Sequence, residues 1–408
     1  MTSVPILHSP LTIHVVWHPA FPEGENYAKF LYGVFNRNPA DPFGRGIGIP
    51  VFFRSVPTST GLPLPIDLTE ADRNVIVLLL DDELVATDGD SWEEYSLRIL
   101  AECQARGPLH KLIPVAVSDS GFNFNPEIGK LNGIRLNIIS AAQTSEQAEE
   151  SSSPKVFERQ CAKLHGDLLN ELTRLLLPSA ATPPTATQPA SPVKLFLSHA
   201  RKDGADIAAA VRQHIRATSS LDSFFDVTNI AFGYDFAEAI EANVEASALV
   251  IFQTDQYASR DWCQIEALTA KKHKCPIVVV NALMKGEKRS FPYLGNVPTV
   301  RWYPGNEAAV LVAALEQVLN NLYTNCLLKK IAALYGHPER YVLASPPELL
   351  DFVEIRRAMK EQGEEDCVVV YPDPPLGNRE IILLTDSDSR LLFITPTQLP
   401  ILKALARA

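Results

Sequence analysis

Cysteines are few in this sequence, and none is placed as a zinc site or a disulfide framework would place it. Six of them (Cys103, Cys161, Cys263, Cys275, Cys326, Cys367) are scattered over 408 residues, with no C-x-x-C pair and no Cys/His spacing for a tetrahedral metal. They read as reduced, buried thiols. Basic residues are outnumbered, 37 Lys and Arg against 48 Asp and Glu, and the net charge of −11 argues against a broad footprint for nucleic acid or anionic lipid. No stretch approaches ~18 uninterrupted apolar residues, so no membrane span is expected. The first residues, MTSVPILHSPLTIHVVWHP, lack a basic leader and carry histidines and prolines where a signal peptide needs an apolar run. A cytoplasmic protein is expected.

What is present is an ordinary globular composition, 46% hydrophobic and 21% charged. Single cores stop growing near ~250–300 residues, so the chain should hold two large domains or three small ones. The clearest boundary is Pro178 to Pro192, where five prolines alternate with Ala, Thr and Ser and no apolar period survives. A polar, acidic stretch, Ala141 to Pro154, makes a second break. Between the two, Leu164, Leu168, Leu172 and Leu175 form one helical face over Phe157 to Leu177, which either closes the first domain or pairs with a partner. A third, weaker break is expected after Tyr323, where a helix over Glu307 to Tyr323 should end. The expected division is 1–140, 141–192, 193–323 and 324–408.

Residues 193–303 alternate strand and helix: Val193 to Leu197, a helix through Ile207, Val211 and Ile215, then Phe224-Phe225. A helix over Phe236 to Ala246, the strand Leu249 to Phe252, a helix from Trp262 to Lys272 and the strand Pro276 to Val280 follow. Short apolar strands separated by helices imply a parallel sheet covered on both faces, with ligands beyond the carboxyl ends of the strands. The motifs stand in the order FLSHARKD, FFDVTNIAFGYDF, LVIFQTDQYASRDWCQIE, CPIVVV and FPYLGNVPTVRW. In that order and spacing, residues 193–322 resemble a TIR domain of the bacterial type. The resemblance implies an α/β fold with a flavodoxin-like five-stranded parallel sheet. For many bacterial and plant members it also implies cleavage of NAD⁺ at the nicotinamide–ribose bond.

Glu266 lies four positions after Trp262, so the two share a helix face, and a carboxylate in the first helical turns is favoured as an anion by the macrodipole. Breaking an N-glycosidic bond develops positive charge on the ribose, which a carboxylate gripping the sugar stabilises. The nicotinamide ring is already cationic in NAD⁺ and needs no general acid to leave. The resemblance assigns the catalytic role to Glu266 within Trp262-Cys263-Gln264-Ile265-Glu266; the alternative is a solvated glutamate. Ser198 and His199 end the first strand of this segment, where they could border the pocket. Arg201 and Lys202 could meet the NAD⁺ phosphates or be a solvated pair. Asp226 through Asp235 match the loop that covers the active site in the family, Gly233 supplying a permissive backbone. Phe225, Ile230 and Phe232 are walls for the nicotinamide ring or core. No metal or further cofactor is expected, NAD⁺ being the substrate.

The amino-terminal part repeats the order. Ile13 to Pro19 parallels Leu195 to Ala200, Pro50 to Arg54 parallels Ser223 to Asp226, and Val75 to Asp81 parallels Leu249 to Asp255. Ser91-Trp92 parallels Asp261-Trp262, and Lys111 to Val117 parallels Lys274 to Val280. Residues 11–140 therefore read as a diverged TIR-like copy. Ser96 stands where the second copy has Glu266, and Arg54 where it has Asp226; Glu94, two positions after Trp92, is ~200° round a helix and on another face. Serine holds no charge against an oxocarbenium ion, so this copy reads as silent, a regulator, dimeriser or sensor for a protein or ligand partner. The alternative is a separate Rossmann-like fold with its own small ligand near Trp17, His18 and Arg54. The last segment reads as a small α+β module with a helix over Pro347 to Lys360 and strands at Cys367 to Tyr371, Ile381 to Leu384 and Leu391 to Thr395.

The leading expectation is an NAD⁺ glycohydrolase of a bacterial anti-phage, abortive-infection system, switched on by self-association. A cyclase making a cyclic ADP-ribose isomer shares the bond-breaking step. A non-enzymatic TIR–TIR adaptor is the competing class.

Overall fold

The computed structural model describes residues 7–37, 46–86, 91–137, 154–177, 193–218, 224–226, 247–286 and 291–405. The chain divides into two compact units, residues 8–190 and residues 191–408 with 1–7. In the first, β1 (Thr12–Val16), α1 (Gly24–Phe35), β2 (Val51–Arg54), β3 (Asn74–Leu80), α2 (Ser91–Arg106), β4 (His110–Ala116) and β5 (Ile134–Arg135) follow one another. The strands form one all-parallel sheet in the order β2-β1-β3-β4-β5. All seven residues of β3 are buried, as the central strand of a sheet covered on both faces requires. A long helix, α3 (Pro154–Leu176), packs on α1 with Leu164, Leu168 and Leu172 fully buried, and the Tyr27 hydroxyl donates to Gln160 Oε1 at 2.7 Å. Of the two roles its sequence allowed, α3 takes that of closing the first unit.

The second unit opens with β6 (Lys194–His199), α4 (Ala205–Thr218), β7 (Phe224–Asp226), β8 (Ser247–Gln253), α5 (Asp261–Lys272), β9 (Ile277–Asn281) and β10 (Thr299–Arg301). Its sheet is also all-parallel, ordered β10-β9-β8-β6-β7. Read from the other edge this is second-first-third-fourth-fifth, the order of flavodoxin-like sheets and that of the first unit. The ladders start alike, Thr12 opposite Asn74 and Lys194 opposite Ser247, with a buried polar residue opening each central strand. Counted from those pairs, Leu197 corresponds to Val15. Asp226, opposite Leu197, then corresponds to Phe53, opposite Val15, so the sequence parallel that placed Arg54 there is one residue out of register.

Two expectations for the tail fail. The helix starting at Glu307 does not end near Tyr323: α6 (Glu307–Tyr335) runs on, burying Leu328 and Ala332, until Gly336 adopts the left-handed conformation (φ 82°) that caps it. No glycine or proline interrupts the sequence before that point. Ile381 to Leu384 is helical, within α8 (Asn378–Ser387), with Ile382 and Leu383 exposed. Around it, α7 (Leu349–Gln362), β11 (Cys367–Val370), β12 (Leu391–Ile394) and α9 (Leu399–Leu405) complete the unit, β11 and β12 pairing in parallel. A reciprocal capping box of Glu348 and Asp351 starts α7. Lys271 at the end of α5 donates to both Glu348 oxygens (2.8 and 2.9 Å), and Lys274 pairs with Asp351, so the tail grips α5 from its carboxyl end. Among the described residues no helix is long and apolar enough to cross a membrane.

Candidate active site

From β6 the chain crosses to β7 on one side, and β8 lies on the other; between such strands a crevice opens beyond their carboxyl ends. The segments that follow β6 and β8 meet there. Asp203 ties them: its Oδ1 accepts from Thr254 Oγ1 at 2.7 Å and its Oδ2 from the Gln256 N–H at 3.0 Å. Gly204 sits so close to the strand end that a Cβ would stand 3.1 Å from the Ala200 carbonyl oxygen and from His199 Cβ. Gln264 Nε2 donates to the Ala258 carbonyl at 2.7 Å and holds the preceding turn against α5.

The result is a cleft of about 560 Å³ lined by His199, Ala200, Arg201, Lys202, Arg260, Trp262, Cys263 and Glu266. Trp262, in the first turn of α5, is 58% exposed at its mouth; Glu266, one turn on, is 2% exposed at its floor. The floor is polar beneath the carboxylate. Ser198 Oγ donates to Glu266 Oε2 at 2.5 Å, and the Tyr257 hydroxyl lies 2.8 Å from the same Ser198 oxygen and 3.3 Å from the Cys263 carbonyl. Burial pushes the Cys263 thiol up to about 12, with the Glu266 charge adding to the effect, so this cysteine stays protonated and is no nucleophile. Burial likewise raises Tyr257 well above the usual phenol range and keeps it a hydrogen-bond donor.

The fold therefore brings together Glu266, Trp262, His199, Arg201 and Lys202. Ser198 is fully buried and does not line the cleft; it touches the glutamate instead. Asp226 closes β7 opposite Leu197, while Ile230, Phe232 and Gly233 lie outside the described residues. Sequence reasoning missed Arg260, Tyr257 and Asp203 as parts of the site. Arg260 had a signal, a cation just before the helix that carries the glutamate. For Tyr257 and Asp203 the local sequence carries none, because their partners are 59 and 51 residues away. Among the described residues, no group of three or more His, Cys, Asp and Glu is placed to hold a metal ion.

Residues 195–310 match the family model described as TIR domain. This is a protein with a TIR domain. The match spans β6 to the start of α6 and includes every residue that lines the cleft. No curated protein matches the chain. Among solved structures, it is similar over 76% of its length to 81% of tagatose-6-phosphate ketose/aldose isomerase from Escherichia coli, at 9% identity and a TM-score of 0.22. A candidate phosphosugar isomerase of Clostridium difficile 630 aligns over 88% of this chain and 91% of its own, at 10% identity and a TM-score of 0.18. Scores this low establish no common fold.

Proposed function

We propose that the TIR domain cleaves NAD⁺ at the nicotinamide–ribose bond, with Glu266 as the catalytic carboxylate. The observation that carries this reading is Glu266 itself, a carboxylate on the floor of a cleft walled by an exposed tryptophan and rimmed by three cations. The rim of Arg201, Lys202 and Arg260 suits a diphosphate, and the indole of Trp262 suits a flat heterocycle or a sugar face. As the glycosidic bond breaks, the nicotinamide leaves with the bonding electron pair and becomes neutral, while positive charge passes to the ribose. Glu266, itself almost wholly buried, stabilises that charge. Water then attacks the ribosyl cation and loses a proton, giving ADP-ribose; attack by an adenine nitrogen would give a cyclic isomer instead.

The same strand order in the first unit, its parallel sequence motifs and the serine at position 96 support reading residues 11–140 as a diverged, silent TIR-like copy that regulates or assembles the enzyme. A role in bacterial anti-phage defence, with assembly as the trigger, follows from the resemblance and is part of the proposal. The test is nicotinamide release from NAD⁺ by the full chain, concentrated or crowded to promote assembly, with the products separated by chromatography. Wild type should release nicotinamide and Glu266→Ala should lose about 10²–10³-fold, the scale of removing a main electrostatic stabiliser. Equal rates would overturn the assignment.

A further inference from the structure

We infer that Ser198 and Tyr257 form a buried relay that positions the Glu266 carboxylate, an inference that rests on the NAD⁺-cleaving reading above. The three side chains come from separate elements: Ser198 from β6, Tyr257 from the turn Tyr257–Ser259, and Glu266 from α5. Ser198 and Tyr257 are both 0% exposed, so neither can touch a substrate in the cleft. A serine hydroxyl has one proton, and here it goes to Glu266 Oε2. The Tyr257 hydroxyl therefore donates to the Ser198 oxygen, its remaining contact being the longer one to the Cys263 carbonyl.

Such a chain has two consequences for a carboxylate that must meet a developing cation. It fixes the rotamer of a side chain with three rotatable bonds, which otherwise loses orientation on each turnover. It also supplies a hydrogen bond to the ionised form, and a charge-assisted bond between buried side chains favours that form. Among the described residues, the ionisable groups near Glu266 include Tyr257 and Cys263 beneath it and His199, Arg201, Lys202 and Arg260 around the cleft. Burial keeps Tyr257 and Cys263 protonated. A His199→Gln partner variant separates the effect of the Ser198 donor on Glu266 from that of the imidazole that lines the same cleft. Ser198 and Tyr257 are positioning residues, acting only through the glutamate.

The experiment titrates Glu266 directly, by ¹³C NMR of the full chain labelled at glutamate Cδ, the signal being assigned by its loss in Glu266→Gln. Nicotinamide release is followed over the same pH range. Ser198→Ala should raise the Glu266 midpoint by about 1–2 pH units and move the acid limb of kcat/KM up with it, kcat falling more than KM rises. Tyr257→Phe, which removes one oxygen and keeps the ring packed, should give a smaller shift in the same direction. Ser198→Thr, which keeps the hydroxyl, should return the midpoint toward wild type. Coincident titration curves for wild type, Ser198→Ala and Tyr257→Phe would overturn the relay. Because the titration needs no turnover, a wild-type protein that releases no nicotinamide refutes the enzymatic reading separately.

Discussion

Each unit carries a helix after its third strand, and each of those helices begins with a residue followed by tryptophan, but the two tryptophans do opposite things. Trp92 is 4% exposed and packs into the core with Ile76, Leu78 and Leu80, the His18 ring meeting its face edge-on at 5.2 Å. Trp262 is 58% exposed over a cleft. One turn later, Ser96 is fully buried with a hydroxyl that has no hydrogen-bond partner among the described residues, whereas Glu266 takes a hydrogen bond from Ser198. In ladder register Ser198 corresponds to Val16, which has no hydroxyl to give. The same strand order thus carries a buried tryptophan and serine in one unit and an exposed tryptophan over a polar-floored cleft in the other. Three positions, not the topology, make the difference, which is why a site has to be argued from its side chains.

The sharpest way to break this comparison is to truncate both tryptophans. Trp92→Ala should cost about 3–5 kcal/mol of stability by opening a core cavity, and Trp262→Ala less than about 1 kcal/mol, since its ring already faces solvent. Urea unfolding of each variant in the full chain, following the transition of its own unit, measures both; similar losses would mean that the two rings share one environment. Next in size is Glu348→Ala, which removes a helix cap and the acceptor of Lys271 together. A loss of about 1–3 kcal/mol is expected, with reduced NAD⁺ turnover because α5 is held less firmly. A thermal midpoint and a rate both equal to wild type would show that the tail does not brace α5. Smallest is Ser96→Ala, which deletes a buried hydroxyl without a partner among the described residues and should stabilise by about 1 kcal/mol. A loss instead would mean that the hydroxyl has found a partner.

Much of the second sheet could be read from sequence, because LVIF and PIVVV are continuous apolar runs that only a covered parallel strand explains in this context. The Trp262–Glu266 pairing was equally readable, since four positions on a helix is a fixed angle. The Ser198–Glu266 contact was not: it joins residues 68 apart, and its existence depends on how closely α5 approaches β6. Ser198 was accordingly read as bordering the pocket when it lies under the glutamate. Ile381 to Leu384 misled for another reason, four contiguous apolar residues being compatible with either period. The continuation of α6 past Tyr323 was masked by a change of surroundings rather than of sequence: the helix leaves the sheet behind and buries Leu328 and Ala332 in the tail's small core.

The central claim is that catalysis belongs to the second unit and that the first has no part in the chemistry. It is tested most directly by measuring nicotinamide release from NAD⁺ by Glu266→Gln and Ser96→Ala side by side in the full chain. The account predicts that Glu266→Gln falls about 10²–10³-fold while Ser96→Ala keeps the wild-type rate. Undiminished release by Glu266→Gln, or a comparable loss in Ser96→Ala, would contradict it.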